Sequence, residues 1–430
     1  MKSEPQPAYL NLINQLLTCA SGEEQEILNT HPELLDDGLV AAMLEKADNL
    51  REQGELNNAN RLKDFAGILG KVDGDFLAGI ALKAEADRVL EQGIQQFKIS
   101  QFREALQSWE QALTIYREIG NRQGEANSLG NLGLAYYSLG QYQKAIDFHQ
   151  QQLEMAREIG DRQGEANSLG NLGNAYYFLG QYQKAIDFQQ QSLEISREIG
   201  DRLGEANSLG SLGAAYDSLG QYQKAIAFYE QQLEITREIG DRQGEAASLG
   251  NLGIAYNSLG QYQKAIDFHQ QSLEIEREIG NRQGEAASLG NLGAAYDSLG
   301  QYQKAIDFHQ QYLKIAREIG DRLGESISLN NLGNTLLKTN QLAEAETALR
   351  ASIQIHETLR FELVNNDHKA SIFETQVKSY LLLQQILVAQ TKFDQALEIS
   401  EMSRTRAFVE LLQQTLLTTP LSPPLINGRK

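Results

Sequence analysis

The sequence predicts an all-α solenoid of stacked helix-turn-helix repeats, and three observations predict it. The first is a period. Leu129, Leu169, Leu209, Leu249 and Leu289 each open a near-copy of one phrase, 40 residues apart, and 33 of the 40 positions from 246 to 285 recur unchanged in 286–325. A fixed period of roughly 20 to 50 residues marks a solenoid or array. The second is apolar spacing of three and four residues in two successive blocks of each copy, which makes one buried helical face per block. The third is a glycine at the end of each block, where a helix stops readily.

The elements follow in chain order. Residues 1–75 lie outside the period and read as a small helical leader. Ser21-Gly-Glu-Glu24 and Thr30-His-Pro-Glu33 have the form of capping boxes, and Gly38–Gln53 reads as a helix. Cys19 is the one cysteine of the chain, which excludes an internal disulfide and points to a reducing, cytoplasmic compartment. Leu16-Leu17-Thr18-Cys19 has the outline of a lipoprotein cleavage box. The preceding residues hold Glu4, two prolines and several amides where a basic head and apolar core are needed. No apolar run reaches the ~20 residues of a membrane span. The segment "GKVDGDFLAG" (Gly70–Gly79) reads as the joint to the array.

The array covers about eight units over residues 84–412. A divergent first unit (84–125) keeps Gly93, Phe102, Ala105, Trp109 and Ala112, and five near-identical units fill 126–325. A looser unit from Ser326 keeps Leu332, Gly333, Leu342, Ala345 and Leu349. The last, 369–412, keeps Leu383, Leu387, Phe393 and Ala396 but has Gln384 where glycine is expected. Divergent ends suit stacking, because a terminal unit meets water on one side. The tail 413–430, rich in proline, reads as extended.

In the unit 281–320, Asn281 caps a first helix whose apolar face is Leu289, Leu292, Ala295, Tyr296 and Leu299. Gly300 stops it. The second helix carries Tyr302, Ala305, Ile306, Phe308, Leu313 and Ile315, and Gly320 stops that one. Gly290 and Gly293 lie inside a helix, where each costs about 0.5–1 kcal/mol against alanine. Close packing must offset this, and small Ala305 is expected to face Gly293.

Leu292-Gly293, Tyr296, Gly300, Tyr302, Ala305 and His309 fall at the spacings of the tetratricopeptide repeat, which the array resembles. The 40-residue length and the joint Gly240-Asp241-Arg242-Gln243-Gly244-Glu245-Ala246 are similar to its longer form in kinesin light chains. That resemblance implies a right-handed superhelix whose concave groove is lined by the first helices, with asparagines there holding the backbone of an extended peptide. It implies in turn a protein-protein interaction scaffold.

The near-copies differ in few places, and several lie on one face of the first helix. One variable slot is Leu134, Asn174, Ala214, Ile254 and Ala294; the next is Tyr137, Tyr177, Asp217, Asn257 and Asp297. Asn131, Asn171, Asn251, Asn291 and Asn331 stand on the same side. These asparagines are the expected peptide ladder, with Asn174 and Asn257 beside it. Tyr137 and Tyr177 would add apolar contact, and Asp217 and Asp297 would select basic side chains. A second variable strip lies on the second helix: His149, Gln189, Tyr229, His269 and His309, then Gln152, Ser192, Gln232, Ser272 and Tyr312. Equivalent second helices stand a whole helix apart, roughly 16–20 Å, too far for two histidines to share an ion. Packing is the expected role, with no metal and no cofactor.

The formal charge is -19, from 38 Lys+Arg against 57 Asp+Glu, with no basic stripe, which argues against nucleic acid as a partner and for basic proteins or peptides. Nothing assembles into a catalyst. Gly67-Ile-Leu-Gly70-Lys71 lacks the spacing of a phosphate loop. Cys19 and His31 share the leader but lack an orienting group and oxyanion donors. A non-enzymatic protein is expected. One further resemblance covers both ends: Tyr9–Val40 and Phe393–Leu412 look like the segments flanking the repeats in cyanobacterial proteins that carry a caspase-like CHAT domain. The residues after Leu412 hold no histidine or cysteine. The resemblance therefore implies an interaction or regulatory arm without that domain.

Overall fold

A computed structural model describes residues 7–19, 23–31, 34–35, 37–69, 74–362 and 369–418. Among them the chain is helical apart from turns, with no strand. It divides into two compact units, Met1–Asp201 and Arg202–Lys430.

The first unit begins with α1 (Pro7–Thr18), α2 (Glu24–Asn29), α3 (Asp37–Glu52) and α4 (Leu56–Leu69). These leader helices bury a core of their own, with Leu12, Ile13, Leu16, Leu39, Met43 and Leu62 at its centre. Arg61 ties α4 back to α2 through Glu24 at 2.8 Å. Each expected capping box includes residues outside the described ones. Ser21 and Glu33 lie outside the described residues, the N-cap of α2 is Glu23 with no side-chain cap bond, and the Thr30 hydroxyl donates back to the Ile27 carbonyl at 2.7 Å.

Three hairpins follow in the first unit: α5 (Gly74–Lys98) with α6 (Phe102–Glu118), α7 (Arg122–Ser138) with α8 (Tyr142–Ile159), and α9 (Arg162–Phe178) with α10 (Tyr182–Ile199). The joint expected at Gly70–Gly79 is in large part helix, since α5 already starts at Gly74; residues 70–73 lie outside the described ones. The second unit holds α11 (Arg202–Ser218) with α12 (Tyr222–Glu238), α13 (Arg242–Ser258) with α14 (Tyr262–Glu278), and α15 (Arg282–Ser298) with α16 (Tyr302–Ile319). It ends in α17 (Arg322–Lys338) with α18 (Leu342–Glu362) and α19 (Lys369–Ala389) with α20 (Phe393–Thr418). The tail expected to be extended from residue 413 starts as the last turns of α20, and 419–430 lie outside the described residues. Within each unit, successive helices pack in pairs and each pair packs on the next.

The repeated letters divide by task. Asn281 accepts the Gly284 amide at 3.1 Å, and Asp161, Asp241 and Asp321 cap their helices in the same way. Gly300 and Gly320 end helices at φ 78° and 73°, a region that side chains with a Cβ enter only with strain. Leu289, Leu292, Ala295, Ala305, Ile306 and Ile315 are buried as the spacing predicts. Tyr296 stacks on Phe308 at 5.3 Å with the Lys304 ammonium 5.0 Å from the Tyr296 ring, and this sandwich recurs in the other four near-identical hairpins.

The side chain facing Gly293 is His309, not Ala305: a Cβ on Gly293 would overlap the imidazole ring. Every hairpin with glycine in this slot repeats the arrangement. Gly93, Gly133, Gly173, Gly213, Gly253, Gly293 and Gly333 face Trp109, His149, Gln189, Tyr229, His269, His309 and Leu349. Gly130, Gly210 and Gly290 likewise face Gln152, Gln232 and Tyr312. The second variable strip is thus a row of fillers, each seated in the notch of a glycine. Helix propensity is sacrificed so that a large side chain can lie against bare backbone.

The hairpins are riveted at their joints. Glu245, buried, accepts from Arg237 Nε at 2.8 Å and from Arg242, and Arg242 also pairs with Glu278 on the second helix of its own hairpin. Glu285 sits in the same way between Arg277 and Arg282, as Glu125 and Glu165 do in the first unit. Burial alone would raise the Glu245 carboxyl, but hydrogen bonds from Arg237 and Arg242 hold it below the usual carboxylate range. This Arg–Glu–Arg rail accounts for the charged letters of the joint.

Candidate binding face

In the first unit, Asn131 on α7 and Asn171 on α9 occupy one slot on successive first helices. In the second unit, Asn251 on α13, Asn291 on α15 and Asn331 on α17 do the same. All five are half-buried, and none of their side-chain amides has a hydrogen-bond partner among the described residues. A half-buried amide without a partner is an interaction left open, since both its donors and its acceptor can serve a ligand backbone. Asn174 differs. Its Oδ1 accepts from Gln189 Nε2 at 2.9 Å, and Gln189 also donates to the Gly170 carbonyl at 2.9 Å. The amide of Asn174 is engaged inside its own hairpin, so it is not an open contact as expected from the sequence.

Tyr137 and Tyr177 are half-buried in a cluster of rings. Tyr137 meets Phe178 edge-on at 5.5 Å, Tyr177 meets Phe178 at 5.4 Å, and Tyr142 stacks on Phe178 at 5.4 Å. Phe178 itself is 54% exposed. Its signal in the sequence is a departure: serine fills this slot at 138, 218, 258 and 298.

The slot of Tyr137 and Tyr177 is filled in the second unit by Asp217, Asn257 and Asp297, all half-buried. Asp297 was expected to be open to a basic ligand. Instead it pairs with Lys338, one hairpin on, and accepts from the Thr335 hydroxyl at 3.1 Å, so the chain supplies its cation. Asp217 and Asn257 have no such neighbour. Each has a buried Oδ1 without a hydrogen-bond partner among the described residues, and burial pushes the Asp217 carboxyl above the usual carboxylate range. Among the described residues no helix is long and apolar enough to cross a membrane, and no three His, Cys, Asp or Glu gather at metal-binding distance.

The family model for the tetratricopeptide repeat matches residues 89–158, 164–238, 212–278, 244–318 and 286–358. The chain belongs to the tetratricopeptide repeat family. Tetratricopeptide repeat protein 28 of Homo sapiens is 36% identical to it over 98 residues, which is 22% of this chain and 4% of that protein. Among solved structures, the array is similar to an ATPase of the STAND class with a tetratricopeptide repeat sensor from Pyrococcus horikoshii. The TM-score is 0.57 at 17% identity, over 92% of this chain and 55% of that one. The apo form of RapI aligns with a TM-score of 0.52 at 19% identity, over 64% of this chain and 99% of that one. At these identities the likeness is one of fold. The tetratricopeptide array is accordingly an all-α solenoid of helical hairpins, an architecture whose members bind protein or peptide partners.

Proposed function

We propose that the array is a non-catalytic scaffold that holds an extended protein or peptide segment along the first-helix face. The observation that carries this reading is the half-buried asparagine amides, Asn131 and Asn171 in one unit and Asn251, Asn291 and Asn331 in the other, each without a hydrogen-bond partner among the described residues. Within each unit, amides repeated one per hairpin suit a ligand whose own amides repeat along a backbone. Tyr137, Tyr177 and exposed Phe178 add an apolar anchor in the first unit. The acidity of the chain favours basic segments, and the lone Cys19 suits a cytoplasmic setting.

The test is a double substitution. Peptides selected from a random library on the wild-type array should bind an Asn251→Ala/Asn291→Ala variant about 10- to 100-fold more weakly, since each lost hydrogen bond is worth about 1 kcal/mol. Helicity and melting temperature should stay within the scatter of the wild type, because neither amide has a role inside the fold. Unchanged affinity in the double variant sinks the ladder.

The resemblance of Phe393–Leu412 to the last repeat before a CHAT domain supports a second reading, that the scaffold serves as the sensing arm of a caspase-like hydrolase, in cis in a longer parent or in trans. Translation of the coding sequence downstream of Lys430 tests the arm in cis: an in-frame domain with a His/Cys pair favours it, and a stop codon removes the cis form.

A further inference from the structure

The Asp297 site is a filled example of something the array also contains unfilled. At Asp297 the Lys338 ammonium pairs with the carboxylate and lies 5.8 Å from the centre of the Tyr302 ring. The carboxylate comes from the first helix of a hairpin, the ring from the start of its second helix, and the cation from the first helix of the next hairpin. Moving back 80 residues, two repeats, places Asp217 at the carboxylate and Tyr222 at the ring. The position of Lys338 becomes Ser258 and that of Thr335 becomes Ala255. The acid and the ring remain, while the ammonium and the supporting hydroxyl are gone. On the next hairpin Asn257 occupies the same slot as Asp217 and adds a second buried acceptor without a partner.

We propose that Asp217, Tyr222 and Asn257 form a subsite for one lysine side chain of the bound segment, in the manner of Lys338 on Asp297 and Tyr302. The inference rests on the reading of the first-helix face as a peptide site, and it adds where along that face a lysine is read. A carboxylate held half out of water without a partner is unfavourable. A visiting ammonium relieves that penalty by pairing with the carboxylate as Lys338 does with Asp297, while the ring supplies a cation–π contact. The slot at Asp297 stays closed to ligands because Lys338 already fills it.

The experiment selects ten-residue peptides from a random library on three proteins: wild type, Asp217→Asn and Lys338→Met. Asn257 shows that the slot accepts asparagine, so Asp217→Asn should keep its helicity and melting temperature. Wild type should enrich lysine at one position of the peptide, and Asp217→Asn should still recover peptides but without that lysine. Lys338→Met should enrich a second lysine, since Asp297 and Tyr302 are then free. For a wild-type peptide, changing its lysine to norleucine should weaken binding at least tenfold on wild type and have no further effect on Asp217→Asn. Lysine enrichment that survives Asp217→Asn, enrichment of arginine instead, or peptides with no basic preference overturns the subsite and leaves the peptide face standing. Recovery of no peptide on any of the three proteins overturns both.

Discussion

Between pH 6.5 and 4.5 the array is expected to lose several kcal/mol of stability, and a His149→Gln/His269→Gln/His309→Gln variant is expected to keep most of it. The three imidazoles are at most 1% exposed, and burial pushes each down to about 4. In the folded chain they stay neutral through this range, whereas in the unfolded chain they take up protons near pH 6.5. The unfolded state therefore binds more protons as the pH falls from 6.5, so stability declines with acidification and the loss is complete below about pH 4. A shift of that size corresponds to about 3 kcal/mol per histidine at the low-pH end. His356 is buried and shifted in the same direction and adds to the effect. Burial would raise the Glu165 and Glu245 carboxyls of the rail, but hydrogen bonds from their arginines hold both below the usual carboxylate range, beneath the histidine window. Glutamine is the right replacement because Gln189 already fills this slot against Gly173. Urea melts at pH 7.5 and 5.0 decide the matter: an equal drop in wild type and triple variant would remove the histidines as its cause.

Gly253→Ala is expected to destabilise the second unit by about 1–2 kcal/mol, and Gly250→Ala, one turn away on α13, to stabilise it by about 0.5–1 kcal/mol. Both are glycines in the middle of a helix, and on propensity alone both changes should help. At Gly253 a Cβ would fall inside the His269 ring, which is buried and has nowhere to go. Overpacking of that kind exceeds the helix-propensity gain. At Gly250 the nearest atom to a Cβ is Ser272 Oγ at 3.7 Å, an ordinary contact. The two variants should move the denaturation midpoint in opposite directions. Movement in the same direction would mean that the glycine notch does not set the packing of the filler side chains.

These two cases locate the boundary of what could be read in advance. Helix positions, the Asn and Asp caps, the glycine stops and the apolar faces repeat in the letters, because capping and amphipathicity act over a few residues of one chain segment. The partner of Gly293 does not. Ala305 and His309 are both on the second helix at helical spacing, and the choice between them depends on how two helices lie against each other. The Arg–Glu rail was hidden for the same reason. Arg242 and Glu245 are three apart and visible as a pair, but Arg237 and Glu278 reach them from other helices. In the candidate site, the asparagine row was legible as a row, since the period places its members one per hairpin. Which side chains remain open was not. Asn174 is engaged by Gln189 and Asp297 by Lys338, contacts 15 and 41 residues apart in the chain. Phe178 is visible in the letters as a departure from serine, but its exposure depends on the rings packed around it.

By itself, then, the sequence determined that this protein is an array of helical hairpins of one period, with its caps, stops, core letters and acidic surface, because these follow from interactions within a turn or two of helix. Only the tertiary structure decided which glycine faces which filler, which carboxylates are already neutralised and which amides are left without partners. Those are questions of distance between helices, and letters that are equivalent along the repeat become different once their neighbours across the hairpin differ.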